Sequence, residues 1–154
     1  MDDATPIAIA GPQLSAGVSP VGAELQWLRD EAGRDLLWDG DPAWWNGRAP
    51  ILFPVIGCVA GGVVRVDGRD YPMPKHGIAR RRRFTVVERS DGAATFALGS
   101  DAGTCASYPF DFRLELRFAI HGAALEVTAS LANPGAVPLP ASFGFHPAFC
   151  WPLP

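Results

Sequence analysis

The chain has no run of the ~18 consecutive apolar residues that a membrane-crossing helix needs, so no span is predicted. It also lacks the basic start of a secretory leader: Met1-Asp2-Asp3 is acidic, which points to a cytoplasmic protein. Cysteine is scarce. Cys58, Cys105 and Cys150 lie far apart with no C-x-x-C pair, a usage that suits a reducing compartment and small apolar filling. Charge is sparse, 19% of residues, and the net value of −3 argues against nucleic acid as a partner. The one basic run, Arg80 to Arg83, reads first as a solvated strand end. Helical periodicity is missing too; only Pro42–Trp45 and Pro74–Ala79 offer a candidate helical turn.

What is present is a well-packed β pattern. With 48% hydrophobic residues, the 154-residue chain can bury a real core, and it is expected to form a single domain over 1–154. Seventeen glycines and fifteen prolines are spread along it, as frequent turns between short strands would require. Leu25–Leu28 and Leu36–Trp38 read as a hairpin about Gly33. Val63–Val66 ends at Asp67-Gly68, a tight-turn dipeptide, with Tyr71 on the return. Phe84–Glu88 and Thr95–Leu98 flank Ser90-Asp91-Gly92 in the same way. The longest alternation puts Phe110, Phe112, Leu114, Leu116 and Phe118 on one face and Asp111, Arg113, Glu115 and Arg117 on the other. Gly122 turns it, and Leu125–Leu131 returns. The predicted class is all-β, an antiparallel β-sandwich.

Chemistry has few places to sit among three histidines. His121, between two alternating runs, reads as a turn residue. His76, in Pro74-Lys75-His76-Gly77, and His146, in Phe145-His146-Pro147, each adjoin a residue that fixes backbone shape. Taken alone, either histidine reads first as a local hydrogen-bonding residue. A third segment changes the balance. Trp44 and Trp45 precede Arg48 and an apolar strand pinned by Pro50 and Pro54. Aromatic faces suit the C–H faces of a pyranose, and arginine donors suit its hydroxyls. Core tryptophans and a surface arginine are the structural alternative. A metal site of His76, His146 and Cys150 is a weaker rival, since His-x-x-x-Cys occurs readily by chance.

The stretches LLWDGDPAWWNGRAPILFPVIG (36–57), YPMPKHGIAR (71–80), YPFDFRLELRF (108–118) and SFGFHPAF (142–149), in this order, resemble the aldose 1-epimerase (mutarotase) family, and its LacX-like branch most. Val21-Gly22-Ala23-Glu24-Leu25 is similar to that family's opening hairpin. The resemblance implies a galactose mutarotase-like sandwich that interconverts α and β anomers of free hexoses, without metal or organic cofactor. It implies catalytic roles for His146, protonating the ring oxygen, and His76, assisting there. Arg48 would position hydroxyls, and Trp45, Arg80 and Phe149 complete the expected substrate-binding set. Ile78 stands where the family has phenylalanine.

Family members run to about twice this length. The chain is therefore expected to be the N-terminal half, without the glutamate base and an aspartate that the other half supplies, and to be weakly active or inactive. Half a sandwich would also expose sheet edges, so self-association is expected. Two alternatives stay open at this point: a non-catalytic carbohydrate-binding module, and a hexose-6-phosphate epimerase in which Arg80–Arg83 face the phosphate.

Overall fold

A computed structural model describes residues 5–153; the acidic start Met1-Asp2-Asp3 and the terminal Pro154 lie outside the described residues. Three strands open the chain: β1 (Ile7–Ala10), β2 (Leu14–Ser19) and β3 (Glu24–Asp30), an antiparallel sheet in that order. A short β4 (Ile51–Leu52) follows, then the hairpin β5 (Val63–Val66) and β6 (Arg69–Pro72). Asp67 and Gly68 both take positive φ, 48° and 76°, as the predicted tight turn demands. A four-stranded antiparallel sheet is built from β7 (Thr85–Arg89), β8 (Ala93–Gly99), β9 (Arg113–His121) and β10 (Ala124–Ala132). Finally β11 (Gly144–Phe145) returns to pair with β4.

The architecture is the all-β antiparallel sandwich that the alternation predicts. Leu114, Leu116 and Phe118 of β9 stand opposite Leu98, Phe96 and Ala94 of β8, and all six are buried. They form one core with Ile9, Ala16 and Val18 of the first sheet. Each such leucine contributes about 1.5–3 kcal/mol by leaving water. On the outer face Arg113 meets Glu115 at 2.6 Å, but both are solvent-exposed and the pair adds little.

Three local expectations need correction. The long alternation does not begin as a strand at Phe110. β8 ends at Gly99, and a loop carrying the helical turn α1 (Ala102–Cys105) takes away the partner that residues 110–112 would need. Pairing resumes only where Ser100 N–H donates to Phe112 O at 3.0 Å. That turn is itself an addition to the sequence reading. Its signal was Asp101-x-x-Thr104: Thr104 N–H donates to Asp101 Oδ1 at 2.6 Å, and Asp101 N–H to Thr104 Oγ1 at 2.8 Å.

The hairpin of Leu25–Leu28 with Leu36–Trp38 is also only partly formed. β3 is hydrogen-bonded along its length to β2 instead. The return strand keeps an Arg29–Asp35 bridge and one Leu36 N–H to Leu28 O bond of 2.8 Å, then crosses to residues 148–150. Last, His121 is the final residue of β9, opposite Ala124, and Gly122 makes the turn.

Candidate active site

His146 is held by its strand. Gly144 and Phe145 pair with Leu52 and Ile51. Beyond the histidine, Ala148 N–H donates to Arg48 O at 2.8 Å, Trp38 N–H to Ala148 O at 2.9 Å, and Cys150 N–H to Leu36 O at 2.9 Å. The segment therefore runs along two neighbours in turn, and period-two alternation sends His146 to the side opposite Phe145 and Pro147.

His76 is held by its own backbone. It sits at φ 67°, a left-handed conformation that costs a non-glycine residue about 1–2 kcal/mol. Two hydrogen bonds to one residue hold it there: His76 N–H donates to Gly57 O at 2.7 Å, and Gly57 N–H donates to His76 Nδ1 at 3.0 Å. Gly77 follows at φ 79°, so close to β4 that a Cβ would lie 2.1 Å from Phe53 O. Ile78 N–H then bonds Phe53 O at 2.8 Å, and the 3-10 turn Ala79–Arg81 starts. The two imidazoles meet, with ring centroids 5.9 Å apart, and the Trp45 ring lies 5.1 Å from His146.

Together with Pro50, Lys75 and Arg80 they line one hollow of about 160 Å³. No carboxylate lines it among the described residues. Burial first, and then the charges of Lys75, Arg80 and His146, hold His76 below the usual histidine value of 6.5. The Gly57 N–H needs an unprotonated Nδ1, so a neutral His76 carries its proton on Nε2.

Of the six expected site residues, His76, His146, Trp45 and Arg80 come together in this hollow. Arg48 and Phe149 do not line it. The Arg48 guanidinium donates to Gln26 O at 2.6 Å, and its backbone N–H and that of Ala49 both donate to Glu24 Oε1, at 2.9 and 3.0 Å. Arg48 thus ties the opening hairpin to the strand of His146. Phe149 faces a separate apolar groove. Trp44 is 82% exposed.

Of the basic run, Arg82 bonds Gly103 O at 2.5 Å and Arg81 lies in solvent, whereas Arg80 belongs to the hollow. Cys150 Sγ donates to Leu37 O at 3.3 Å, and no group of three metal-ligating side chains stands together among the described residues. Sequence reasoning passed over Lys75, Gly57 and Glu24. Lys75, the only lysine of the chain, was legible as such; the Gly57 and Glu24 contacts span 19 and 24 residues and left no local mark.

Fold and site together define an antiparallel β-sandwich with a paired-histidine, cation-rich hollow beside a tryptophan. The aldose 1-epimerase family profile matches residues 7–153, and the chain belongs to that family. It is similar to the chromosomal LacX protein of Lactococcus lactis subsp. lactis, 29% identical over 96% of this chain and 51% of that protein. The crystal structure of a galactose mutarotase-like protein from Lactobacillus casei ATCC 334 superposes with a TM-score of 0.90 at 37% identity, over 94% of this chain and 49% of that one. A galactose mutarotase related enzyme from Lactobacillus acidophilus superposes at 0.93 with 27% identity, over 96% and 49%. The chain thus spans about half the length of the curated relatives it matches. No described helix is long and apolar enough to cross a membrane.

Proposed function

We propose that the chain carries the histidine side of an aldose 1-epimerase site and acts on the hemiacetal of a free hexose. The observation that carries this reading is the juxtaposition of His76 and His146, 5.9 Å apart over one hollow, with their ring nitrogens in unequal surroundings. His76 is clamped neutral by Gly57 and donates Nε2–H to a sugar oxygen. His146 receives no hydrogen bond from a described residue, so its ring is free to carry and deliver a proton.

In ring opening, His146 gives a proton to the ring oxygen as the C1–O bond breaks, while a base removes the anomeric hydroxyl proton. Rotation about C1–C2 and the reverse transfers close the ring on the other face. No carboxylate lines the hollow among the described residues, so we assign the base to a glutamate that the other half of the family's chain would contribute. A general acid or base contributes roughly 10²–10⁴-fold, so the chain by itself is expected to be slow. Its volume of about 160 Å³ is also below the roughly 300–1,000 Å³ of most ligand sites, so a bound sugar projects beyond it.

The test is NMR titration of the two imidazoles with glucose and galactose, together with anomer exchange spectroscopy. Shifts of both rings with measurable exchange support the reading. Binding without any exchange, retained in His146→Ala, would establish a carbohydrate-binding module instead. A second reading has its own support: Lys75 and Arg80 both line the hollow, and no acid lines it beside them among the described residues. That charge suits a phosphorylated hexose, and preference for hexose 6-phosphate over free hexose in the same titration would favour it.

A further inference from the structure

Two features hem in the imidazole of His146: the strand that carries it, and the Trp45 ring 5.1 Å away. One residue outside the hollow is hydrogen-bonded to both. Trp38 donates its backbone N–H to Ala148 O at 2.9 Å, two residues past His146. It also donates its indole Nε1–H to Trp45 O at 2.8 Å. The loop between the two tryptophans closes on itself. Asp41 N–H donates to Asp39 Oδ1 at 3.1 Å, Ala43 N–H to Asp41 Oδ1 at 2.8 Å, and Trp45 N–H to Asp41 O at 2.9 Å. Those bonds fix the shape of the loop, not its place beside residue 148. The indole bond fixes its place, because it joins the far end of the loop to the residue already paired with Ala148. Buried Gly47 leaves the room that the ring takes: a Cβ there would lie 2.5 Å from Trp45 Cζ2. Trp44, one residue earlier, is 82% exposed, whereas Trp45 is half-buried.

We propose that Trp38 is a positioning residue for His146: its indole N–H fixes the Trp45 carbonyl and so seats the Trp45 ring against the imidazole. Trp38 does not line the hollow, so it acts through Trp45 and not on a ligand. A Trp45 ring free to swing away would let water in beside the imidazole and let the imidazole turn. Misplacing a reacting group by about 1 Å can cost roughly 10²-fold in rate. That the seated imidazole serves a hexose rests on the function proposed above; the seating itself does not.

The experiment reads the imidazole signals of the chain's three histidines by NMR, without sugar, at a fixed pH above the usual histidine range. The Trp45 ring current displaces the His146 signals, and exposed His121, at the end of β9, is the internal reference. Trp38→Phe keeps an aromatic ring and the backbone N–H but removes the indole donor. It should move the His146 signals towards those of His121 and leave His121 in place. Gly47→Ala, which displaces the Trp45 ring from its other side, should do the same. Trp45→Leu should move the His146 signals as well, and adding Trp38→Phe to it should move them no further. Unchanged His146 signals in folded Trp38→Phe overturn the proposal, and so do additive shifts in the double variant. Whether or not Trp38→Phe folds, the parent provides a second reading. Its Trp38 indole N–H should exchange with solvent at least about tenfold more slowly than that of Trp44, as a bonded donor does. Equal exchange at the two indoles refutes the seating. With hexose added, Trp38→Phe should slow anomer exchange at saturation by about tenfold or more. Exchange as fast in the folded variant as in the parent overturns the positioning role. A parent that never exchanges anomers sinks the enzymatic reading and leaves the seating to stand on the imidazole signals.

Discussion

The Nδ1 of His76 accepts the Gly57 N–H at 3.0 Å, while the His76 N–H returns to Gly57 O at 2.7 Å. Protonating Nδ1 would turn that acceptor into a donor facing a donor. Burial and the neighbouring cations already set the folded-state pKa of His76 below 6.5. The unfolded chain, with its ordinary histidine, binds this proton first as pH falls. The folded state is therefore favoured fully above pH 6.5, and stability declines from there down towards the folded-state pKa. NMR titration should find His76 titrating below 6.5, and His76→Asn should flatten the loss of denaturation midpoint between neutral and mildly acidic pH. A titration at or above 6.5 would refute the clamp.

Gly77 should tolerate no side chain. Its φ of 79° already costs an L-residue about 1–2 kcal/mol, and a Cβ would lie 2.1 Å from the Phe53 carbonyl oxygen. That contact is with backbone, which cannot rotate away. Gly77→Ala is expected to lower stability by at least about 2 kcal/mol in chemical denaturation. It should also displace His76, broadening or shifting its ring signals even where the fold survives.

Glu24 is the remote support of the site. One carboxylate oxygen accepts from the N–H groups of both Arg48 and Ala49, and Arg48 O in turn accepts from Ala148, two residues past His146. Charge-assisted hydrogen bonds of this kind are worth about 1.5–3 kcal/mol. Glu24→Ala should cost about that much in a urea titration, whereas Glu24→Gln, which keeps one acceptor, should cost less. Equal losses in both variants would show that the charge and not the geometry matters.

Much of this was legible in the sequence, for reasons that differ between fold and site. The β5–β6 turn was visible because Asp67-Gly68 is local chemistry, and the buried face of β9 because Leu114, Leu116 and Phe118 alternate with charged residues. His76 and His146 were picked out by the conformational specialists beside them, Gly77 and Pro147. What was hidden is whatever depends on tertiary pairing. Leu36–Trp38 looks like half a hairpin, yet its real partner, Ala148–Cys150, lies more than a hundred residues on. The residue type of Arg48 suits a sugar hydroxyl, but the bond of its guanidinium to Gln26 O is a tertiary contact that leaves no local mark. The α1 turn fell below the length at which periodicity carries information.

The unequal surroundings of the two histidines lead to a kinetic split. If His146 delivers the proton to the ring oxygen, His146→Ala removes an interaction made only as the bond breaks. The expected result is a kcat lower by roughly 10²–10⁴-fold with KM little changed. His76 donates one hydrogen bond from Nε2–H in ground and transition states alike, so His76→Asn should raise KM by up to about tenfold, on the order of the 0.5–1.5 kcal/mol of such a bond, with a smaller loss in kcat. Anomer exchange spectroscopy at high protein concentration can measure both parameters on a slow catalyst. Should His76→Asn abolish kcat while His146→Ala spares it, the roles are reversed, and the Gly57 clamp would have to open during turnover.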